Sequence, residues 1–131
     1  MIPRADFIAA VLACEGTPVV HMGRVIGEGL DCGGLPWAAA NACGAGLPPT
    51  RSYSRWPSAE ELESALAAFC ERTDDFANAH VWQVYVGKHA RHLVVPIGDN
   101  LVMQAYGKNG VVQRTRMPEN AHRWWRIRGV A

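Results

Sequence analysis

Three residues far apart in the chain carry the side chains of a nucleophile, a base and an orienting group: Cys32, His92 and Gln104. Cys32 stands in Gly29-Leu30-Asp31-Cys32-Gly33-Gly34-Leu35, a turn-forming block that leads into the apolar run Leu35 to Ala40. Asp31 suits the cap of a helix starting here, because its short carboxylate accepts from unpaired backbone N–H groups. Cys32 then falls in the first turn, where free N–H groups and the positive end of the helix favour a thiolate. That position lowers a cysteine's pKa and makes it a nucleophile. A thiolate nucleophile needs a base beside it, and the base needs a partner on its far nitrogen. Of the five histidines, only His92 opens an apolar strand directly after a turn, from which its ring can face a helix start. Gln104, one hairpin later, is placed to accept from that ring and fix its tautomer. His21 lies just before the cysteine block, His80 and His89 fall in expected turns, and His122 sits among arginines. His89-x-x-His92 spans a turn with no cysteine or carboxylate cluster nearby, so no metal site is expected.

Several elements must position these groups. Residues 3 to 14 read as a short amphipathic helix stopped by Gly16 and Pro18. Val19 to Arg24 and the glycine-rich Gly27-Glu28-Gly29 deliver the chain to Cys32. A second helix is expected from Asp31 to Ala42, and Pro36, tolerable only in a first turn, pushes its regular start toward Gly33 or Gly34. Gly46 to Pro57 is a loop; Ser58 then caps a third helix, with Glu61 completing a capping box, that runs to near Arg72. From His80 the pattern changes to strands: 81–86, 91–97, 101–106, 111–115 and 124–128. Turns are expected at Gly87–Ala90, Gly98–Asn100 and Gly107–Gly110, and a helical turn at Pro118-Glu119. Helices first and an antiparallel meander second is the α+β arrangement, in one domain spanning 1–131.

Composition narrows the function classes. The chain has 131 residues, 49% apolar and 19% charged, enough to bury a core and too apolar to be disordered. A formal net charge of +1 provides no general field for nucleic acid, and no segment is long enough to cross a membrane. Phe7 to Ala13 is too short for a signal peptide, so synthesis in the bacterial cytoplasm without one is expected. Cys14, Cys32, Cys43 and Cys70 are irregularly spaced with no C-x-x-C, which reads as free thiols. The one local basic cluster is Arg123, Arg126 and Arg128 around Trp124-Trp125.

The order of a helix-start cysteine, a strand histidine and a polar residue twelve positions later, with the Asp-Cys-Gly-Gly-Leu block, resembles the NlpC/P60 family of papain-like cysteine peptidases, which cut bacterial cell-wall peptides. Within it, Gly16-Thr17-Pro18, Val20-His21-Met22-Gly23-Arg24 and Gln104-Ala105-Tyr106-Gly107 are similar to the phage and prophage tail-associated branch. The resemblance implies a papain-like fold, N-terminal helices packed on an antiparallel sheet of about five to six strands. It implies Cys32 as nucleophile, His92 as base and acid, and Gln104 as third member of the triad. His21 would support substrate and oxyanion binding where many members use a tyrosine, with Asp31 as cap and Gly33 in the helix's first turn. Gly33 stands where members usually carry serine or alanine, and Pro36 is unusual. The implied partner is the peptidoglycan stem peptide, with phage tail proteins for delivery to the periplasm or cell wall, and no cofactor. An injected murein-cleaving toxin is a variant of this reading. The alternative is a tail-tip assembly component with little turnover, docking through Arg123 to Arg128.

Overall fold

The computed structural model describes residues 1–107 and 110–131; Lys108 and Asn109, in the expected turn at Gly107–Gly110, lie outside the described residues. Three helices, α1 (Arg4–Ala13), α2 (Gly34–Ala42) and α3 (Ala59–Ala67), precede most of the strands. A two-stranded hairpin, β1 (Arg24–Val25) and β2 (Gly29–Leu30), joins α1 to α2. The main sheet contains β3 (Cys70–Thr73), β4 (Val81–Val86), β5 (His89–Gly98), β6 (Leu101–Gln104), β7 (Gln113–Arg116) and β8 (Ala121–Ile127). Its order is β3-β8-β4-β5-β6-β7, every neighbour antiparallel. This is the expected α+β architecture. Phe7 and Val11 of α1, Leu35 and Ala39 of α2, and Leu62 and Leu66 of α3 close against Val81, Leu93, Val95, Met103 and Ile127 of the sheet. Removing side chains of this size from water is the main drive for the assembly.

The Ser58–Glu61 capping box forms as expected: Glu61 N–H donates to Ser58 Oγ at 3.1 Å and Ser58 N–H to Glu61 Oε1 at 3.2 Å. The helix it opens stops at Ala67, short of the expected Arg72. Residues 70–73 instead form β3 on β8, with Glu71 opposite Arg126 and Arg72 opposite Trp125. The expected helical turn at Pro118-Glu119 is absent, and β8 begins earlier than expected, at Ala121. β5 begins at His89, so His92 lies inside a strand rather than at its opening.

His80 is a core residue, 1% exposed, rather than part of a turn. The Ile127 N–H donates to its Nδ1 at 2.9 Å, so that nitrogen carries no proton and Nε2–H donates to the Ala131 carbonyl at 2.9 Å. Burial disfavours the imidazolium and lowers the His80 pKa from 6.5 to about 4. A depressed histidine contributes stability that is full above 6.5 and is lost as pH falls toward 4, worth about 3 kcal/mol. Urea unfolding of the wild type should lose this amount between pH about 7 and about 4, while His80→Gln loses much less. Equal losses in the two proteins would exclude His80 as the source.

Candidate active site

The cysteine block folds as a tight turn ahead of α2. Asp31 backbone O accepts from Leu35 N–H at 3.0 Å, and Asp31 Oδ1 accepts from Gly34 N–H at 2.8 Å. The helix start expected at Asp31 falls at Gly34, with Gly33 as N-cap, because Pro36 has no N–H to close a bond to Cys32. Cys32 lies in the turn before the helix, and Asp31 holds that turn. The carboxylate does more than hold the turn. Oδ2 accepts from Met22 N–H at 2.7 Å and Oδ1 pairs with Arg24 at 2.6 Å. Met22 sits in the left-handed region at φ 58°, a conformation that needs such a clamp. Arg24 also donates to Thr50 Oγ1 at 2.8 Å and Tyr53 Oη at 3.2 Å. This hub of Asp31, Arg24, Thr50 and Tyr53 ties the β1–β2 hairpin and the 46–57 loop to the nucleophile's turn.

Gly33 has a plain physical reason. A Cβ there would stand 2.5 Å from Tyr53 Oη and 3.3 Å from Tyr53 Cζ. The buried tyrosine ring occupies the space a serine or alanine side chain needs. Gly33→Ala is expected to cost about 1–3 kcal/mol through this overlap, and Tyr53→Phe, which removes the hydroxyl, to recover part of it. A loss in urea unfolding that is unchanged on the Tyr53→Phe background would refute the steric account.

β5 delivers the histidine. Val86 pairs with His89 and Val84 with His92, so Tyr85 of β4 stands opposite both Ala90 and Arg91 of β5. The extra residue is a β-bulge just ahead of His92, of the kind that re-aims side chains beside active sites. His92 is buried, and its Nε2 lies 2.7 Å from Gln104 Oε1. Gln104 Nε2 donates to Thr115 Oγ1 at 2.6 Å, and Thr115 Oγ1 is placed to donate to the Arg116 carbonyl at 3.5 Å. This chain sets the amide orientation and thereby the tautomer. Gln104 presents its oxygen to the ring, Nε2 carries the proton, and Nδ1 keeps its lone pair free to act as a base. Tyr106 packs against the His92 ring, with centroids 4.9 Å apart.

Cys32 and His92 line one cleft of about 920 Å³, together with His21, Asp31, Tyr53, Arg55, Trp56, Arg91 and Tyr106 among others. Cys32, His92, His21 and Asp31 thus share the cleft, Gly33 lies beneath Tyr53, and Gln104 stands behind the His92 ring. His21 is edge-on to Tyr53, with centroids 6.1 Å apart. The thiol departs from expectation. Burial, then the Asp31 carboxylate, push Cys32 up from 9.0 to about 12, against the opposing effects of the Leu93 N–H, Arg24 and the Gly33 N–H. Burial also lowers His92 below 6.5, partly offset by Gln104. Both shifts favour a neutral thiol beside a neutral imidazole, in the direction opposite to the expected thiolate. The N–H groups of Leu93 on β5 and of Gly33 at the N-cap act on the sulfur, but desolvation outweighs them.

Arg24, Tyr53 and Thr115 were not identified from sequence as members of the site. Arg24 lay within a block noted only for its resemblance, and Tyr53 within a segment read as loop. The basic cluster is engaged within the chain: Arg123 pairs with Glu63, Arg126 donates to the Asn78 carbonyl at 3.0 Å, and Arg128 reaches Glu71 at 3.4 Å.

No protein-family model and no curated protein matches the sequence. Solved structures do match. The P60 domain of an M. avium subspecies paratuberculosis antigen aligns with 94% of this chain and 92% of its own at 14% identity and a TM-score of 0.62. RipD from Mycobacterium tuberculosis, described as a non-catalytic NlpC/p60 domain protein adapted to peptidoglycan binding, aligns over 95% of each chain at 17% identity and a TM-score of 0.60. The peptidoglycan hydrolase RipB from the same organism aligns with 95% of this chain and 67% of its own at 18% identity and a TM-score of 0.55. With three helices on a six-stranded antiparallel sheet, the chain has the fold of an NlpC/P60 domain.

Proposed function

We propose that this protein is a cysteine peptidase of the NlpC/P60 family that cleaves peptide stems of bacterial peptidoglycan. The observation that carries the reading is the His92 Nε2 to Gln104 Oε1 bond of 2.7 Å, which leaves Nδ1 as a free base in the cleft that holds Cys32. In the reaction, His92 Nδ1 takes the thiol proton as the sulfur attacks the amide carbonyl carbon. The Cys32 backbone N–H, with His21 at the rim, holds the oxyanion. Collapse breaks the C–N bond, and His92 returns its proton to the leaving amine. Water, deprotonated by His92, then cleaves the thioester and restores the thiol. Because both partners rest neutral, proton transfer accompanies attack instead of preceding it.

The finer placement in the phage or prophage tail-associated branch, with delivery to the cell wall by a tail, rests on the sequence blocks at Gly16–Pro18, Val20–Arg24 and Gln104–Gly107. A second reading, a peptidoglycan-binding protein without turnover, draws on the raised Cys32 pKa and on the likeness to RipD. Incubating purified protein with murein sacculi and identifying the fragments by mass separates the two. New stem-peptide termini, absent with Cys32→Ala, are the expected result. Intact sacculi that nevertheless retain the protein would favour the binding reading.

A further inference from the structure

The cleft is positively charged in a way the triad does not use. Arg55 and Arg91 both line it, and neither has an ion-pair or hydrogen-bond partner among the described residues. Arg91 Nε is buried without a hydrogen-bond partner. With Nε anchored out of solvent, the terminal guanidinium nitrogens, which have no partner among the described residues, are the groups the cleft offers to an acceptor. Among the described residues, Asp31 is the one acidic residue lining the cleft. Both its oxygens are already taken by Met22, Gly34 and Arg24. The positive charge is local, since the whole chain carries only +1. Arg91 immediately precedes His92 at the β-bulge, and both line the same cleft. Arg55 is followed by Trp56, 71% exposed, and the His92 end of the cleft carries Tyr106, 50% exposed; large aromatic surface left open in a cleft marks a ligand face.

We infer that Arg55 and Arg91 form a carboxylate-recognition subsite that selects peptides bearing a free carboxylate next to the scissile amide. The planar guanidinium fork matches the two oxygens of a carboxylate, and a second arginine adds charge. The inference rests on reading the cleft as a peptide site, and it names which peptides that site prefers.

The test uses Cys32→Ala protein, which binds without turnover, and two synthetic stem tetrapeptides, one with free carboxylates and one with those groups amidated. By calorimetry the acid form should bind about tenfold or more tighter than the amide. Arg91→Gln should bring the ratio near one, Arg91→Lys should restore part of it, and Arg55→Gln, on an exposed loop, should reduce it. Thermal melts check that each variant is folded. Equal affinity for the two peptides, binding of neither, or an unchanged ratio in both glutamine variants would overturn the subsite. Preference for the acid by a protein that leaves sacculi intact would retain the subsite and reject the hydrolase. Digestion of sacculi with equal affinity for acid and amide would do the reverse.

Discussion

Replacing His92 by alanine is expected to lower stem-peptide hydrolysis at least about 10³-fold, and the Cys32→Ala, His92→Ala double variant to be no slower than Cys32→Ala alone. The neutral thiol explains the size of the loss. With burial pushing the Cys32 pKa up to about 12, the thiol form is favoured, and attack depends on a base that accepts the proton during the step. Losses that add in the double variant would mean that the two residues do not act as a unit. The pH profile supplies a second check. Burial lowers His92, so its base form persists below 6.5, and the acid limb of kcat/KM should fall below that value. Iodoacetamide labelling of Cys32 should in turn require a pH above the ordinary thiol value of 9.0. An acid limb above 6.5 together with labelling at neutral pH would instead indicate a preformed thiolate–imidazolium pair.

Asp31→Ala is expected to destabilise the fold by about 3–5 kcal/mol, the largest effect of any substitution outside the main core. The side chains of Arg24 and Asp31 are only 17% and 10% exposed, so removing the carboxylate leaves a half-buried cation unpaired. Two backbone donors, Met22 N–H and Gly34 N–H, lose their acceptor at the same time. Asp31→Asn is also expected to be costly, because its amide nitrogen must meet either Arg24 or a backbone donor. Introducing Arg24→Met on the Asp31→Ala background should recover part of the loss, since it removes the orphaned charge. Urea unfolding followed by tryptophan fluorescence measures all four proteins. A cost for Asp31→Ala below about 1 kcal/mol would show that the pair behaves as an exposed one.

What the sequence revealed and what it concealed divide along local and tertiary lines. The turn at Asp31, the capping box at Ser58 and Glu61, and the change from helical to strand periodicity near residue 80 are local signals, and each has its structural counterpart, although the helix after the turn starts at Gly34 with Gly33 as its cap. Phe69 and Cys70 continue the apolar spacing of α3, so nothing local shows that the chain leaves the helix; β8 decides that by pairing with β3. The β5 bulge is equally silent, because an extra residue shows only against its partner strand. His92 and Gln104 were legible as a pair through their spacing. Thr115, which sets the glutamine's orientation, lies on a strand whose register only pairing with β6 establishes. The upward shift of the thiol is hidden for a related reason. A helix start can be read from residue types, whereas the desolvation of Cys32 arises from everything packed around it.

The sheet order carries a consequence for how the protein is made. β8 lies between β3 and β4, bonded to both. While residues 121–127 are still in the ribosomal exit tunnel, β3 and β4 face each other across an empty strand position. The catalytic strands β5 and β6 can pair before then, but the sheet beneath α3 cannot close. Folding therefore waits on a long-range insertion of the last strand of the sheet, which places it among slow, non-local topologies. Until that strand docks, β4 exposes an unpaired edge through which two nascent chains can join.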